Sequence, residues 1–326
     1  LFMVYKVKDS LKEQFLWTIN DPQKIISAAT NKRLVDLKKY SYQSYQEKIK
    51  PHKANIHFFQ QNVTDSVAKL SSLIIGQKAK NEKLPPEEFK GNISEILIYN
   101  RVLSGIETQK AASYLAIKYG ISLSQFDNKN YVNSLGETIW NAEKHKGYTS
   151  SITSVGRDDA SGLLQLKSNN MIDEGLMSFE LKSKSNTIPN NYFAFWSDNG
   201  KNFLVKKQEQ GEPIGVSREW QLDFANPSDL SLDWNFNPAF IKGTLPKDTY
   251  YWLLVDYSGK GTYDEADSEY IRLGSTSSSE KLTLKDFDWN KHKSGTAKFT
   301  LKVAPQMFSR VWITDAVCGV ANSGGL

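Results

Sequence analysis

The chain of 326 residues predicts an all-β protein of two tandem antiparallel β-sandwiches, the first closed by one C-terminal helix. Three observations carry this expectation. Aromatic residues make up 12% of the chain, and with β-branched neighbours they suit pleated, half-buried surfaces. In the later part short apolar runs recur with Asn-Gly and Ser-Gly turns between them, the rhythm of a sandwich. A single capped helical pattern spans Ser104–Gly120, and the polar stretch Ser122–Lys129 after it marks a boundary. The expected domains are therefore 1–124 and 125–326, each large enough to bury its own core.

In the first domain LFMVYKVKDS and EQFLWTIND read as strands, the second ended by Asp21-Pro22. Lys24–Ala29, Arg33–Leu37, Ala54–Gln60 and Leu73–Gly76 follow as short strands, and the polar Tyr40–Lys53 reads as a surface loop. Pro85-Pro86 excludes regular structure before Phe89. The apolar run Ile93–Tyr99 is the closing strand. Ser104 and Glu107 then form a capping box, in which hydroxyl and carboxylate each satisfy a free backbone N–H. Ala111, Tyr114, Leu115 and Lys118 share one helical face. Gly120 stands where a left-handed cap ends the helix. Because Leu1–Tyr5 reads as the middle of a sandwich strand, the chain is expected to be a segment of a longer precursor.

The second domain carries expected strands at Thr138–Asn141, Ile152–Gly156, Leu163–Lys167, Leu176–Leu181, Tyr192–Trp196 and Phe203–Lys206. They continue at Val216–Asp223, Leu230–Trp234, Tyr250–Asp256, Tyr270–Leu273, Lys281–Leu284 and Ala297–Val303. VWITDAVCGV is a further strand, and the Gly/Ser-rich end reads as a linker. Trp140, Trp196, Trp220 and Trp234 fall within strands, where core packing is the expectation.

The stretch FKGNISEILIYNRVLSGIETQKAASYLAIKYGISL resembles the closing strand and terminal helix of a laminin-G/concanavalin A-like domain, in the variant found in surface proteins of Bacteroidetes. YVNSLGETIWNAEKHKGYTSSITSVGRDDASGLLQLKS is similar to the β-rich module that commonly follows it. The resemblance implies export by the type IX secretion system and display on the outer cell surface. It also implies a non-catalytic adhesin, or a module binding a glycan or another surface protein. The alternatives are an accessory region of a secreted polysaccharide-degrading enzyme and a structural spacer. The fold by itself chooses none of these.

Composition excludes some classes. The net charge of +5 is spread among acids instead of massed, which argues against nucleic acid as partner. No apolar run approaches the ~20 residues of a membrane span. Cys318 is the only cysteine, so no internal disulfide can form, and it reads as a small apolar residue.

For catalysis, a glycosidase needs two carboxylates flanking the scissile bond, and no E-x-D-x-E-like strand is read here. The nearest acidic cluster, Asp264-Glu265-Ala266-Asp267, falls in a loop. His52, His57, His145 and His292 lie in polar segments with no nucleophile signature, His57 reading as a solvated strand residue. The segment VDYSGKGTYDEADSEY offers Asp256, Ser258, Asp264 and Asp267 as oxygen ligands around two glycines, a composition calcium favours. Lys260 opposes a cation there, and a plain hairpin turn is the competing reading. In SVGRDDASGL, Arg157 can staple the turn through a neighbouring carboxylate, with Asp158 and Asp159 as fallback metal ligands. Tyr40, Tyr42 and Tyr45 are the expected ligand-binding aromatics, either stacking on sugar rings or packing on their own domain.

Overall fold

The computed structural model describes residues 1–8, 14–21, 24–30, 42–45, 53–61, 72–77, 88–124, 126–183, 187–203, 214–226, 230–264 and 266–305. The protein is all-β and antiparallel, with one α-helix among the described residues. It divides into two compact units, Leu1–Gly136 and Glu137–Leu326.

The first unit contains β1 (Phe2–Val7), β2 (Phe15–Asp21), β3 (Lys24–Ala29), β4 (Tyr42–Tyr45), β5 (Ala54–Gln61), β6 (Ser72–Ile75), β7 (Gly91–Leu97), α1 (Gly105–Tyr119) and β8 (Tyr131–Val132). One sheet runs β4-β5-β1-β7 and a second β3-β2-β6. β1 is apolar at nearly every position because both of its faces are covered. Met3, Tyr5 and Val7 meet Leu16, Trp17 and Ala28 of the second sheet. On the opposite face Val4 stands beside Glu95 of β7, and Glu95 is bonded by Lys118 of α1 at 2.8 Å. The helix therefore lies on that face.

The helix ends follow from the sequence. Ser104 N–H donates to Glu107 Oε2 at 2.9 Å, and Glu107 N–H to Ser104 Oγ at 3.4 Å, which is the capping box. Gly120 adopts φ 62°, and Ile121 N–H returns to Ala116 O. Tyr114 and Lys118 share a face, as the helical period requires, but they serve Glu95 as polar partners, with Tyr119 joining them.

The second unit contains β9 (Thr138–Trp140), β10 (Ser150–Asp158), β11 (Leu163–Gln165), β12 (Lys167–Ser168), β13 (Met177–Lys182) and β14 (Phe193–Asp198). It continues with β15 (Ile214–Ala225), β16 (Ser231–Phe236), β17 (Tyr250–Asp256), β18 (Ser268–Ser275), β19 (Leu282–Phe287) and β20 (Thr296–Ala304). A seven-stranded sheet, β11-β10-β14-β15-β20-β17-β18, faces a four-stranded sheet, β12-β13-β16-β19. Between them pack Phe179, Trp196, Trp220, Trp234, Trp289 and Phe299, with Trp220 stacked on Phe299 at 5.3 Å. Trp196, Trp220 and Trp234 are core residues as expected, and Trp140 is buried too.

Three expectations change. Tyr42–Tyr45 is not loop: the segment forms β4 and pairs with β5, Tyr42 opposite Gln61 and Tyr45 opposite Phe58. Tyrosine suits a strand, and the ladder satisfies backbone groups that a loop would leave to water. His57 is not solvated but buried, 6.0 Å from the Trp17 ring. The closing strand stops at Leu97, leaving Ile98 and Tyr99 exposed. Arg33–Leu37, Tyr40, His52, Pro85-Pro86, 204–206, Cys318 and the Gly/Ser-rich end lie outside the described residues.

Candidate functional site

The site is built on β15, a central strand between β14 and β20. Strand residues alternate between faces. Trp220, Leu222 and Phe224 enter the core, so Glu219, Gln221 and Asp223 line the outer face of the sheet. The register continues this face across β20, with Thr300 beside Glu219, Lys298 beside Gln221 and Thr296 beside Asp223. Two acids on one face of a buried strand were missed in the sequence because the motif sought was E-x-D-x-E, whereas β15 carries Glu219-Trp220-Gln221-Leu222-Asp223.

Glu219 forms the floor of a cleft of about 420 Å³ whose walls include Tyr148, Asn199, Lys201, Ser217, Tyr263 and Lys302. This volume falls within the roughly 300–1,000 Å³ of small-molecule sites. The Tyr263 hydroxyl donates to Glu219 Oε2 at 2.8 Å, and the Tyr148 hydroxyl donates to Oε1. Burial pushes the Glu219 pKa above the ordinary glutamate value, against the opposing pull of the Tyr263 hydrogen bond and the Lys298 charge. Lys298 Nζ stands 4.4 Å from the centre of the Tyr148 ring, a cation–π contact that fixes the ring's face.

Tyr263 comes from the loop that sequence reading offered for calcium. Asp256 organises that loop: Oδ1 accepts from Ser258 N–H and Oγ, and Oδ2 from Gly261 N–H at 2.6 Å and Thr262 N–H. Burial alone raises the Asp256 pKa, yet these bonds hold it below the usual carboxylate value. Its lone pairs thus turn the chain back over the sheet. Tyr263 itself has φ +55°, a left-handed conformation that is strained for a bulky side chain. The Tyr270 hydroxyl holds its carbonyl at 2.7 Å, and Trp252 and Leu254 pack beneath its ring. Asp264 and Asp267 share a backbone turn, Asp267 N–H donating to Asp264 O. Asp267 also faces His292 at 3.5 Å. Among the described residues no three of His, Cys, Asp and Glu converge as a metal site.

Further along β15, Asp223 meets His145 Nε2 at 3.1 Å, Lys144 Nζ at 3.3 Å and Thr296 Oγ1 at 2.9 Å. Burial works to raise its pKa, but these partners bring it below the ordinary aspartate value. His145 is itself buried, stacked 5.3 Å from Trp140, and Gln221 bonds its Nδ1. The two acids of β15 therefore sit in opposite electrostatic settings.

Arg157 forms a bidentate pair with Asp159 at 2.6 and 2.9 Å, the staple reading of that turn, and Asp158 is buried. Tyr42 and Tyr45 belong to β4 in the first unit and Tyr40 lies outside the described residues. A second hollow, about 450 Å³ beside Lys6, Lys8 and Lys90, has neither acid nor aromatic side chain among the described residues of its lining.

Fold and site together define an all-β chain with a polar, tyrosine-walled cleft on its second sandwich. The family described as a domain of unknown function, DUF8202, matches residues 107–293, more than half of the chain, and the chain belongs to that family. The matched stretch includes Tyr148, Lys201, Glu219 and Tyr263, whereas Thr300 and Lys302 lie beyond it. Comparison with curated proteins and with solved structures returns no match.

Proposed function

We propose that the chain is a non-catalytic binding region of an extracellular surface protein, displayed as the laminin-G-like resemblance implies, and that its ligand is a glycan held in the Glu219 cleft. The observation that carries this reading is the junction of a half-buried carboxylate with two tyrosines in one polar hollow. A carboxylate flanked by phenol hydroxyls can exchange hydrogen bonds with sugar hydroxyls, and tyrosine faces supply apolar contact for a ring.

Two carboxylates on one strand also invite a hydrolytic reading, and the setting of Asp223 weighs against it. Asp223 is engaged by His145, Lys144 and Thr296. No helix among the described residues is long and apolar enough to cross a membrane.

A glycan array probed with the full chain, with calcium and with chelator, tests the reading. Binding to a defined sugar class that disappears in Tyr263→Ala is expected. Calcium-dependent binding would make the Asp256 loop a metal site, and silence under both conditions would overturn the glycan reading in favour of a protein partner or a spacer.

A further inference from the structure

We infer that the cleft is built for an acidic saccharide, one bearing a carboxylate or sulfate, whose anionic group is held by Lys201 and Lys302. The inference rests on the glycan reading above and deepens it. Among the described residues the charges of the cleft are unbalanced. Its described lining carries Lys201 and Lys302 with Glu219 as the acid, while Lys298 stands beside Tyr148 and donates to Lys260 O at 3.3 Å.

Four lysines elsewhere in this unit are matched to carboxylates: Lys167 and Lys182 to Glu180, Lys144 to Asp223, Lys291 to Glu269. Among the described residues neither the Lys201 nor the Lys302 ammonium has such a partner.

The placement is a product of the strand period. On β20, Leu301 and Val303 enter the core, so Lys302 points to the outer face with Thr300 and Lys298. Lys201 reaches the same hollow from the turn after β14. Its backbone is fixed there, because Lys201 O accepts from Arg218 Nε at 2.6 Å and Arg218 is locked between Asp173 and Asp198. Two ammonium groups at the rim of a tyrosine-walled cleft give an anion a charge-assisted partner and the sugar ring a surface.

Direct binding of the full chain to four probes tests this: a galacturonate oligosaccharide, its methyl ester, a sulfated galactan oligosaccharide and the neutral galactan. The acidic probes are expected to bind about tenfold or more tighter than their neutral counterparts, the scale of one charge-assisted hydrogen bond. Preference for the galacturonate assigns a carboxylate, and preference for the sulfated probe assigns a sulfate. The double variant Lys201→Ala, Lys302→Ala should abolish the preference, the double Arg variant should keep it, and Lys285→Ala on the other sheet should leave it intact. Equal binding of ester and acid, or an equal loss in Lys285→Ala, overturns the inference while the glycan cleft stands. Failure of all four probes together with a silent array overturns both.

Discussion

The two faces of β15 differ in what they hold and in how they hold it. The inner face presents Trp220, Leu222 and Phe224 to a core of stacked rings. The outer face, one residue out of step, presents Glu219, Gln221 and Asp223 to tyrosines, a histidine and lysines. One strand thus serves as scaffold and as site, and a shift of one residue in register would exchange them. Within the outer face a second difference appears. Asp223 is surrounded by groups that favour its charge, whereas Glu219 is buried beside donors too few to offset desolvation.

The largest effect should come from the inner face. Trp220→Ala is expected to cost about 3–5 kcal/mol through cavity formation, read as a shifted urea midpoint; a loss comparable to that of a surface substitution would break the contrast between faces. Asp223→Ala should cost about 2 kcal/mol, because the buried His145 loses its partner. Its pH signature follows from the depressed folded pKa. The stabilisation is full above the unfolded aspartate value, about 3.9, and is lost as pH falls through the folded value. The variant's stability curve should accordingly be flatter than the parent's below about pH 4.

Ser104→Ala, on the helix of the first unit, should cost about 1 kcal/mol by removing a cap acceptor. An unchanged thermal midpoint would mean the capping box contributes nothing there. The smallest effect has the opposite sign. Glu219 has a raised folded pKa, so its favourable contribution is full below the unfolded glutamate value, about 4.3, and lost as pH rises through the folded value. Glu219→Gln is therefore expected to stabilise the protein slightly at neutral pH, the gain vanishing in acid. Destabilisation at neutral pH would show that the two tyrosines do more for the carboxylate than burial does against it.

Much of the architecture was legible in the chain. Ser104, Glu107 and Gly120 announced the helix ends because caps depend on residues within one turn. The strands of the second unit were legible from alternation, although Ile214–Ala225 proved longer than its apolar run. The 256–267 loop stood out in the chain, where its glycines and acids suggested a cation. In the structure Asp256 binds the loop's own amides, and Tyr263 of the same loop reaches Glu219. A usable signal did exist: Glu219, Gln221 and Asp223 alternate with Trp220, Leu222 and Phe224, and polar groups so placed on a central strand call for partners.

What the sequence determined by itself is the class: an all-β antiparallel chain with one helix of defined ends, because period and capping are written in near neighbours. Only the tertiary structure decided the site. Tyr148 and Tyr263 reach Glu219 from 71 and 44 residues away, and His145 reaches Gln221 from 76. Strand order within a sheet and the path of a covering loop bring such groups together, and neither leaves a local pattern in the chain.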